Sequence, residues 1–256
     1  MNNLMTLIRK DLMEQWRTKK ILILAIIFLF IAISSPILAK ITPEILKSVN
    51  VPGMTLTLPD PTYNDAIDQF IKNISQLALL AVIFIVAGAV SDEKSRKTLE
   101  ILLTKPVSRT LFILSKFKSY FFSISAIFLS ASIIFYLYTS SIFTQFNLIN
   151  FAIVAISSLL YMLTIVSVTI LASTLVKNSI VAGCLGFLCY VLSGIVFSLI
   201  QPLKDYNPGM ILSNYKDVIS GGAGSSLIVP TIVCVTTIIF FIIIAIISFR
   251  KQEIER

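Results

Sequence analysis

The sequence contains no histidine among its 256 residues. Histidine is the commonest metal ligand in proteins and the commonest general base near neutral pH, so its absence disfavours metal-dependent and acid–base catalysis. Cys184, Cys189 and Cys234 all fall within apolar runs and form no CxxC pair, which predicts small apolar fillers rather than a disulfide or a metal site. We therefore expect no catalytic residue, no metal and no cofactor in this chain.

Charged residues are also scarce. They make up 13% of the chain, against about 25% in an average soluble domain. Three stretches, residues 119–176, 178–203 and 218–249, contain none. Since about 20 consecutive apolar residues cross a bilayer, the composition predicts an all-α, polytopic membrane protein. The net charge of +8 does not indicate a nucleic-acid partner, because no soluble domain carries a basic and aromatic surface.

Hydropathy predicts a transmembrane domain at residues 21–250 with six spans. The spans are expected at residues 21–39, 74–90, 117–138, 151–175, 180–200 and 227–249. The first apolar run is longer than the core of a signal peptide, so we expect this span to be retained. Thr62 and Asp65 have the spacing of a capping box, which predicts that a helix begins before the second span.

Residues 1–20 predict an amphipathic helix that lies in the membrane interface. At about 100° per residue, one face of this segment is apolar and the other is charged. The expected interface anchors on the apolar face are Leu4, Ile8, Leu12 and Trp16. A disordered basic tail is the alternative, and the regular apolar spacing disfavours it.

The distribution of basic residues predicts the orientation in the membrane. Six spans place both termini on one side. The segments on that side hold 16 of the 21 lysines and arginines, and the segments on the other side hold five. Because short loops rich in lysine and arginine stay in the cytoplasm, we expect both termini to be cytoplasmic and the protein to lie in the cell (plasma) membrane.

The outer loop of residues 201–226 contains two turn signals, Asn207-Pro208-Gly209 and the glycine-rich run at 221–224. The stretch between them, residues 210–219, is semi-polar and too short to cross a membrane. The glycine-rich run lacks the lysine of a phosphate-binding GxxxxGK[ST] loop. It therefore does not predict a nucleotide site.

The centres of the predicted spans contain no ionisable residue. Proton- and sodium-driven carriers relay charge through such residues, so secondary active transport is disfavoured. The chain thus shows no energy source of its own. Serines and threonines in spans 3 and 4 either pack helices together or line a mildly polar path, and the sequence leaves both interpretations open.

Residues 91–118 carry seven lysines and arginines between two apolar runs, so we expect them to be solvated. Within this segment Leu99, Leu102 and Leu103 share one helical face beside Glu100, and Pro106 ends the pattern. An apolar face on a short solvated helix contacts lipid or docks into a groove of a partner protein. The residues alone favour neither.

The stretch TLEILLTKPVSR at residues 98–109, followed by Lys116, resembles the TLExLLxxPVSR signature of ABC-2-type permeases. These are the membrane subunits of ATP-binding-cassette exporters. The basic amphipathic lead, the six spans and the long loop between spans 5 and 6 also match the family. This chain has Lys97 where glycine is usual before the Thr-Leu-Glu motif.

The resemblance implies that the loop at 91–116 holds a cytoplasmic coupling helix, which lodges in a groove of a soluble ATP-binding subunit. The turn after span 4 would add a smaller contact. The residues implied in this coupling are Thr98, Leu99, Glu100, Leu102, Leu103, Arg109, Lys177 and Asn178. ATP would be bound and hydrolysed by the partner subunit. A second copy of this chain, or a related permease, would complete the pathway, and a re-entrant helical segment at 210–219 would close its outer side.

Two other functions remain open at the level of the sequence. One is an ATP-independent channel or carrier, which would conduct its substrate without a partner. The other is a membrane scaffold that binds partners and transports nothing. The residues do not predict the substrate, and the direction of transport rests on the resemblance.

Overall fold

The structure is a computed structural model, and it describes residues 3–48, 60–98, 108–143, 147–200, 206–219 and 225–252. Every regular element in these ranges is helical. The α-helices are α1 (Asn3–Arg17), α2 (Lys20–Ser48), α3 (Tyr63–Asn73), α4 (Leu79–Ser95), α5 (Arg109–Ile142), α6 (Leu148–Leu175), α7 (Ser179–Leu199), α8 (Tyr215–Ile219) and α9 (Ile228–Lys251). Two short 3-10 helices, Pro208–Leu212 and Ser225–Leu227, and a π-helical turn, Ile74–Ala78, complete the elements.

Six helical segments are long and apolar enough to cross a membrane, which confirms the predicted all-α fold with six spans. The segments are Lys20–Ile45, Tyr63–Ser95, Arg109–Ile142, Leu148–Leu175, Ser179–Phe197 and Ile228–Lys251. The helices extend further into the basic segment than the predicted spans, since α4 continues to Ser95 and α5 begins at Arg109. Ser108 caps α5 by accepting a hydrogen bond from the backbone N–H of Leu111 (3.2 Å).

Helices α3 and α4 form one continuous segment with a π-helical turn between them. Its start at Tyr63 confirms the capping-box prediction, because the Asp65 carboxylate accepts from the backbone N–H of Thr62 (2.7 Å) and from its hydroxyl (3.0 Å). The π turn loosens the regular backbone ladder. The carbonyl of Ser75 in this turn accepts a hydrogen bond from the hydroxyl of Tyr190 on α7 (3.1 Å). The joint of the segment is therefore held from a neighbouring helix.

Helix α6 is the centre of the bundle and packs against α4, α5, α7 and α9. Where α2, α3, α5 and α6 meet, five phenylalanine rings form stacked and edge-on pairs with centroids 4.2–6.5 Å apart; they are Phe28, Phe70, Phe128, Phe135 and Phe151. Such pairs stabilise a core beyond the area that they bury. By contrast, α7 and α9 leave most of their surface exposed.

The hydroxyl groups of α6 mostly bond back to their own helix. Ser158 donates to the carbonyl of Val154 (2.8 Å) and Thr169 donates to that of Ile165 (2.8 Å). Ser173 is different, because its Oγ donates to the carbonyl of Ala87 on α4 (2.6 Å) and accepts from two backbone N–H groups of that helix. These contacts favour the packing interpretation of the hydroxyls along most of α6.

The segment between α7 and α9 folds against the bundle. Asn207 caps the 3-10 helix by accepting from the N–H of Gly209 (2.8 Å), and Ile211 and Tyr215 are buried. The hydroxyl of Tyr215 donates to the carboxylate of Asp68 on α3. Burial and this carboxylate raise the pKa of the Tyr215 hydroxyl, so the group stays protonated and remains a donor. Whether the segment re-enters the lipid stays a prediction.

The helix ends define two poles of the bundle. One pole, which we call the basic end, brings together the start of α2, the end of α4, the start of α5 and the ends of α6 and α9. The other pole, the opposite end, contains α8 and the start of α3. The described parts of the predicted solvated segment, residues 91–98 and 108–118, lie at the basic end. That this end faces the cytoplasm stays a prediction.

Candidate functional site at the basic end of the bundle

Helix α1 lies along α5 and is joined to it by buried polar side chains. Gln15 donates to the hydroxyl of Ser119 (3.1 Å) and accepts from that of Ser123 (2.6 Å). One turn earlier, Asp11 accepts from Ser115 (3.1 Å). The three serines are four residues apart and therefore share one face of α5. Asp11 and Gln15 of α1 are thus each paired with serines on one face of α5.

Five charged residues, Lys10, Asp11, Glu14, Glu93 and Lys116, form a group that we call the Lys116 cluster. The Lys116 ammonium is 2.9 Å from Asp11 Oδ1 and 2.5 Å from Glu93 Oε1, and its side chain is only 4% exposed. The Lys10 ammonium reaches the same Glu93 oxygen at 2.6 Å. The cluster therefore joins α1, α4 and α5 at a single point.

The cost of burying these charges explains why they occur together. A buried charge without a partner is strongly destabilising, whereas a well-paired one is tolerated. Lys116 has two carboxylate partners, and Glu93 has two ammonium partners. The second oxygen of Glu93, Oε2, is buried and makes no hydrogen bond with a described residue. The cluster is paired through one oxygen of Glu93 and keeps one unused acceptor.

Three carboxylates of the cluster, those of Asp11, Glu14 and Glu93, lie close enough to hold a metal ion, with one oxygen of each within 4.8 Å of the others. The Lys116 ammonium already lies between Asp11 and Glu93 and supplies the positive charge there. Hard metal cations such as Ca²⁺ and Mg²⁺ take oxygen ligands, and a cation among these oxygens would meet that ammonium. The arrangement is that of an ion-pair cluster.

Arg109 ties the start of α5 to the end of α9. Its Nη1 donates to the carbonyl of Arg250 (2.8 Å) and to that of Gln252 (2.9 Å). The last carbonyls of a helix lack partners within the helix and carry partial negative charge, so a guanidinium is favourable there. Arg250 returns a hydrogen bond to Thr110 (2.7 Å). The two helix ends are thus linked in both directions.

Lys94 makes the matching link from the end of α4. Its ammonium donates to the carbonyl of Thr174 on α6 and to Oε1 of Gln252 (2.7 Å). Gln252 in turn donates to the same Thr174 carbonyl (2.7 Å). Lys177 lies near enough to Lys94 for their charges to repel. The ends of α4, α6 and α9 therefore meet at one small polar network.

The predicted coupling residues all map to this end where the structure describes them. Thr98 donates to the carbonyl of Glu93 (3.3 Å), Arg109 caps α9, and Lys177 and Asn178 form the tight turn between α6 and α7. Asn178 caps α7 by accepting from the N–H of Ile180 (2.8 Å). Four further predicted residues lie outside the described residues: Leu99, Glu100, Leu102 and Leu103.

Lys97 adopts a left-handed backbone conformation with φ of 56°. This conformation is accessible to glycine without strain and is costly for a residue with a side chain. It falls directly after the turn at the end of α4, where the N–H of Arg96 donates to the carbonyl of Asp92 (3.0 Å). The chain therefore makes at Lys97 the backbone turn for which glycine is best suited.

The predicted interface anchors of α1 differ in their exposure. Ile8 is buried against the bundle, Leu4 and Leu12 are half-buried, and Trp16 is 70% exposed. An exposed tryptophan is typical of a membrane interface. Their role as anchors stays a prediction.

Sequence reasoning missed the polar face of α1 and the burial of Glu93 and Lys116. The segment around Lys116 was expected to be solvated because of its high charge. One signal was available: Asp11 and Gln15 follow the buried Leu7 and Ile8 at helical spacing, which places them on the same face. The serines at 115, 119 and 123 give a matching polar stripe on α5.

Comparison with known proteins agrees with this architecture. The family model described as "ABC-2 family transporter protein" matches residues 5–254, nearly the whole chain. The chain is also similar to the "Uncharacterized transmembrane protein YxlG" of Bacillus subtilis (strain 168), with 26% identity over 118 residues. That match covers 45% of this chain and 46% of the relative, so the chain spans less than half the length of this relative.

Proposed function

Because the chain belongs to the ABC-2 family of transporter proteins, we propose that it is the permease subunit of an ATP-binding-cassette transporter that exports its substrate. Two copies of this chain, or this chain and a related permease, would form the pathway. Soluble ATP-binding subunits would dock at the basic end, which would face the cytoplasm of a cell whose plasma membrane the helices cross. ATP hydrolysis would take place in those subunits.

One observation supports the proposal in addition to the family. The helix ends on both sides of residues 98–109, which we call the coupling segment, are bonded to the rest of the bundle. Before the segment, Glu93 and Lys94 connect α4 to α1, α5, α6 and α9. After it, Arg109 connects the start of α5 to the end of α9. A force applied between residues 98 and 109 therefore acts on helices that are already joined to one another.

The bracing suggests how a partner would drive the membrane part. ATP binding and hydrolysis would shift the partner between two states with different grooves, and the coupling segment would follow the groove. Because the two states must differ in their contacts with this segment, the ATPase and the pathway become linked equilibria. Helices α4 and α5 would carry the shift into the bundle, and Lys177 and Asn178 would add a second contact.

The test is to break the apolar face of the coupling segment while leaving the bundle intact. We expect Leu99→Asp and Leu102→Asp to abolish copurification of the ATP-binding subunit. Where the subunit still copurifies, we expect the variants to abolish the increase in its ATP hydrolysis that the wild-type permease causes. Insertion of the permease should be unchanged, because both residues fall between the spans. The matched control is Leu148→Asp, an exposed leucine at the opposite end of the bundle.

Two results would reject the permease function. ATP-independent flux through vesicles that contain this protein alone would identify a channel or carrier. Stable copurification with an ATP-binding subunit, combined with unchanged ATP hydrolysis and no flux in every variant, would identify a scaffold. The partner for these assays would be a soluble protein with a GxxxxGK[ST] motif, if one is encoded by a neighbouring reading frame.

A further inference from the structure

A cavity of about 300 Å³ lies between α6, α7 and α9, away from the Lys116 cluster. Its size is at the lower limit of pockets that hold small molecules, roughly 300–1,000 Å³. The 3-10 helix that begins at Pro208 closes one end, where the carbonyl of Pro208 lies 3.8 Å from the thiol of Cys234. Exposed Cys189 and Phe240 lie at the sides of the cavity, so it opens laterally between α7 and α9.

The cavity wall is apolar and aromatic and carries a few uncharged polar groups. Among the described residues that line it, none is lysine, arginine, aspartate or glutamate. Thr164 and Ser193 donate their hydroxyl protons to carbonyls of their own helices, at 3.1 Å and 2.7 Å. Tyr190 donates to Ser75 in the π turn. Because their protons are already donated within the protein, these three hydroxyls can only accept hydrogen bonds from a ligand. They therefore offer nothing to an anion, which needs hydrogen-bond donors.

Tyr161 differs from these three residues. Its side chain is buried, with 7% of the residue exposed, and it lines the cavity. Its hydroxyl has no hydrogen-bond partner among the described residues. The hydroxyl can therefore donate to a ligand oxygen in the cavity without breaking a bond within the protein. Gly209 lies beside it, and a Cβ there would be 3.7 Å from the Tyr161 oxygen and 3.1 Å from Asn207 Oδ1.

We propose that this cavity binds an uncharged, lipid-like molecule that enters from the bilayer between α7 and α9. Its apolar chain would lie against the aromatic wall, and an ester or hydroxyl oxygen would accept the hydrogen bond of Tyr161. Charged headgroups are excluded, because the described wall offers them no counter-charge and a buried charge without a partner is costly. That this ligand is also the transported substrate rests on the proposed function; the binding itself does not.

The test uses photolabelling of the purified protein by a decanoyl glycerol that carries a diazirine in its chain. Labelled peptides are located by mass spectrometry. We expect labels on cavity residues such as Val168 and Phe197, and competition by unlabelled decanoyl glycerol but not by decanoate, which has the same chain with a charge. Equal competition by decanoate would show that the proposed chemistry is wrong.

Two neighbouring threonines on α9 provide a matched pair of variants. Thr237 lines the cavity, whereas Thr236 is exposed and bonds to its own helix. We expect Thr237→Trp to fill the cavity and reduce its labelling to background, and Thr236→Trp to leave it unchanged. Equal labelling in both variants would mean that the probe reports only the lipid-facing surface. Tyr161→Phe keeps the ring and should weaken binding about three- to tenfold.

ATP hydrolysis by the assembled transporter separates binding from transport. If the ligand is the substrate, decanoyl glycerol changes the hydrolysis rate in the wild type and in Thr236→Trp but not in Thr237→Trp. Cavity labelling without any effect on hydrolysis would reject the substrate assignment. The permease function would be untouched by that result, because the coupling variants at Leu99 and Leu102 test it independently.

Discussion

At the basic end of the bundle, buried charged side chains pair with one another, whereas the cavity between α6, α7 and α9 is lined by uncharged groups. The Lys116 cluster pairs full charges at 2.5–2.9 Å and joins three helices. The cavity is lined by uncharged groups, and the hydroxyl of Tyr161 has no partner among the described residues. The two regions therefore differ both in charge and in how completely their polar groups are paired.

The difference separates a contact that fixes helices from a site that accepts a ligand. Charges within a bundle must be paired, and once paired they resist separation because each would be left alone. Thr164 and Ser193 in the cavity wall bond to their own helices and impose little on their neighbours. The first arrangement suits an end that receives a mechanical displacement. The second suits a wall that must admit and release a molecule.

The largest expected effect comes from breaking the Lys116 cluster. Lys116→Met removes the nearest ammonium partner of Asp11 and one of the two ammonium partners of Glu93, and both carboxylates stay buried. We expect the free energy of unfolding in mixed micelles to fall by about 3–5 kcal/mol. The control is Lys118→Met, two residues further along α5, where the side chain is exposed and the expected change is within about 0.5 kcal/mol.

A rescue experiment then distinguishes electrostatics from packing at this position. If unpaired charge causes the loss, the triple variant Lys116→Met, Asp11→Asn, Glu93→Gln regains much of the stability, because the carboxylates are neutralised. A triple variant no more stable than Lys116→Met alone would mean that the lysine acts through its shape, and the contrast with the cavity would disappear.

An intermediate effect is expected from comparing one serine in each region. Ser173→Ala removes a hydroxyl that bridges α6 and α4, and should cost about 0.5–1.5 kcal/mol of unfolding free energy. Ser193→Ala removes a hydroxyl in the cavity wall that bonds only to its own helix, and should change the free energy by less than about 0.5 kcal/mol. Equal losses in the same unfolding assay would contradict the distinction between bridging and wall hydroxyls.

The smallest effect is expected at Lys97, where the backbone is left-handed. Lys97→Gly relieves the steric cost of that conformation but makes the unfolded chain more flexible, so the net gain is about 0.5 kcal/mol. Arg96→Gly is the control, because Arg96 has a φ of −83° and gains nothing from glycine. A loss of stability in Lys97→Gly as large as that in Arg96→Gly would mean that the lysine side chain is itself needed.

Hydropathy was enough to predict the six spans, because each span is a long apolar run and the bilayer leaves helices as the main solution. The helix start at Thr62 was predictable for a local reason, since Thr62 and Asp65 satisfy each other's hydrogen bonds. The tight turn at Lys177 was equally visible, being the one charged residue between two apolar runs.

The Lys116 cluster was not predictable in the same way, because its members are far apart in the chain. A lysine in a basic segment looks solvated until the partners are known, and Lys116 meets Asp11 from 105 positions away. The cavity is a second example. It depends on how three helices splay apart, and no local pattern around Tyr161 distinguishes an unpaired hydroxyl from one that bonds to its neighbours.

The π-helical turn at Ile74–Ala78 is where we expect the continuous segment of α3 and α4 to bend most easily. Beyond this turn, α4 continues for 17 residues and ends at Ser95. The helix is about 25 Å long, so a tilt of about 5° at the π turn would move its far end, and the contacts of Glu93 and Lys94 there, by about 2 Å. Tyr190 in the cavity wall contacts this turn, because its hydroxyl donates to the carbonyl of Ser75. A molecule that displaces Tyr190 would therefore break this hydrogen bond and make it easier for α4 to tilt relative to α3.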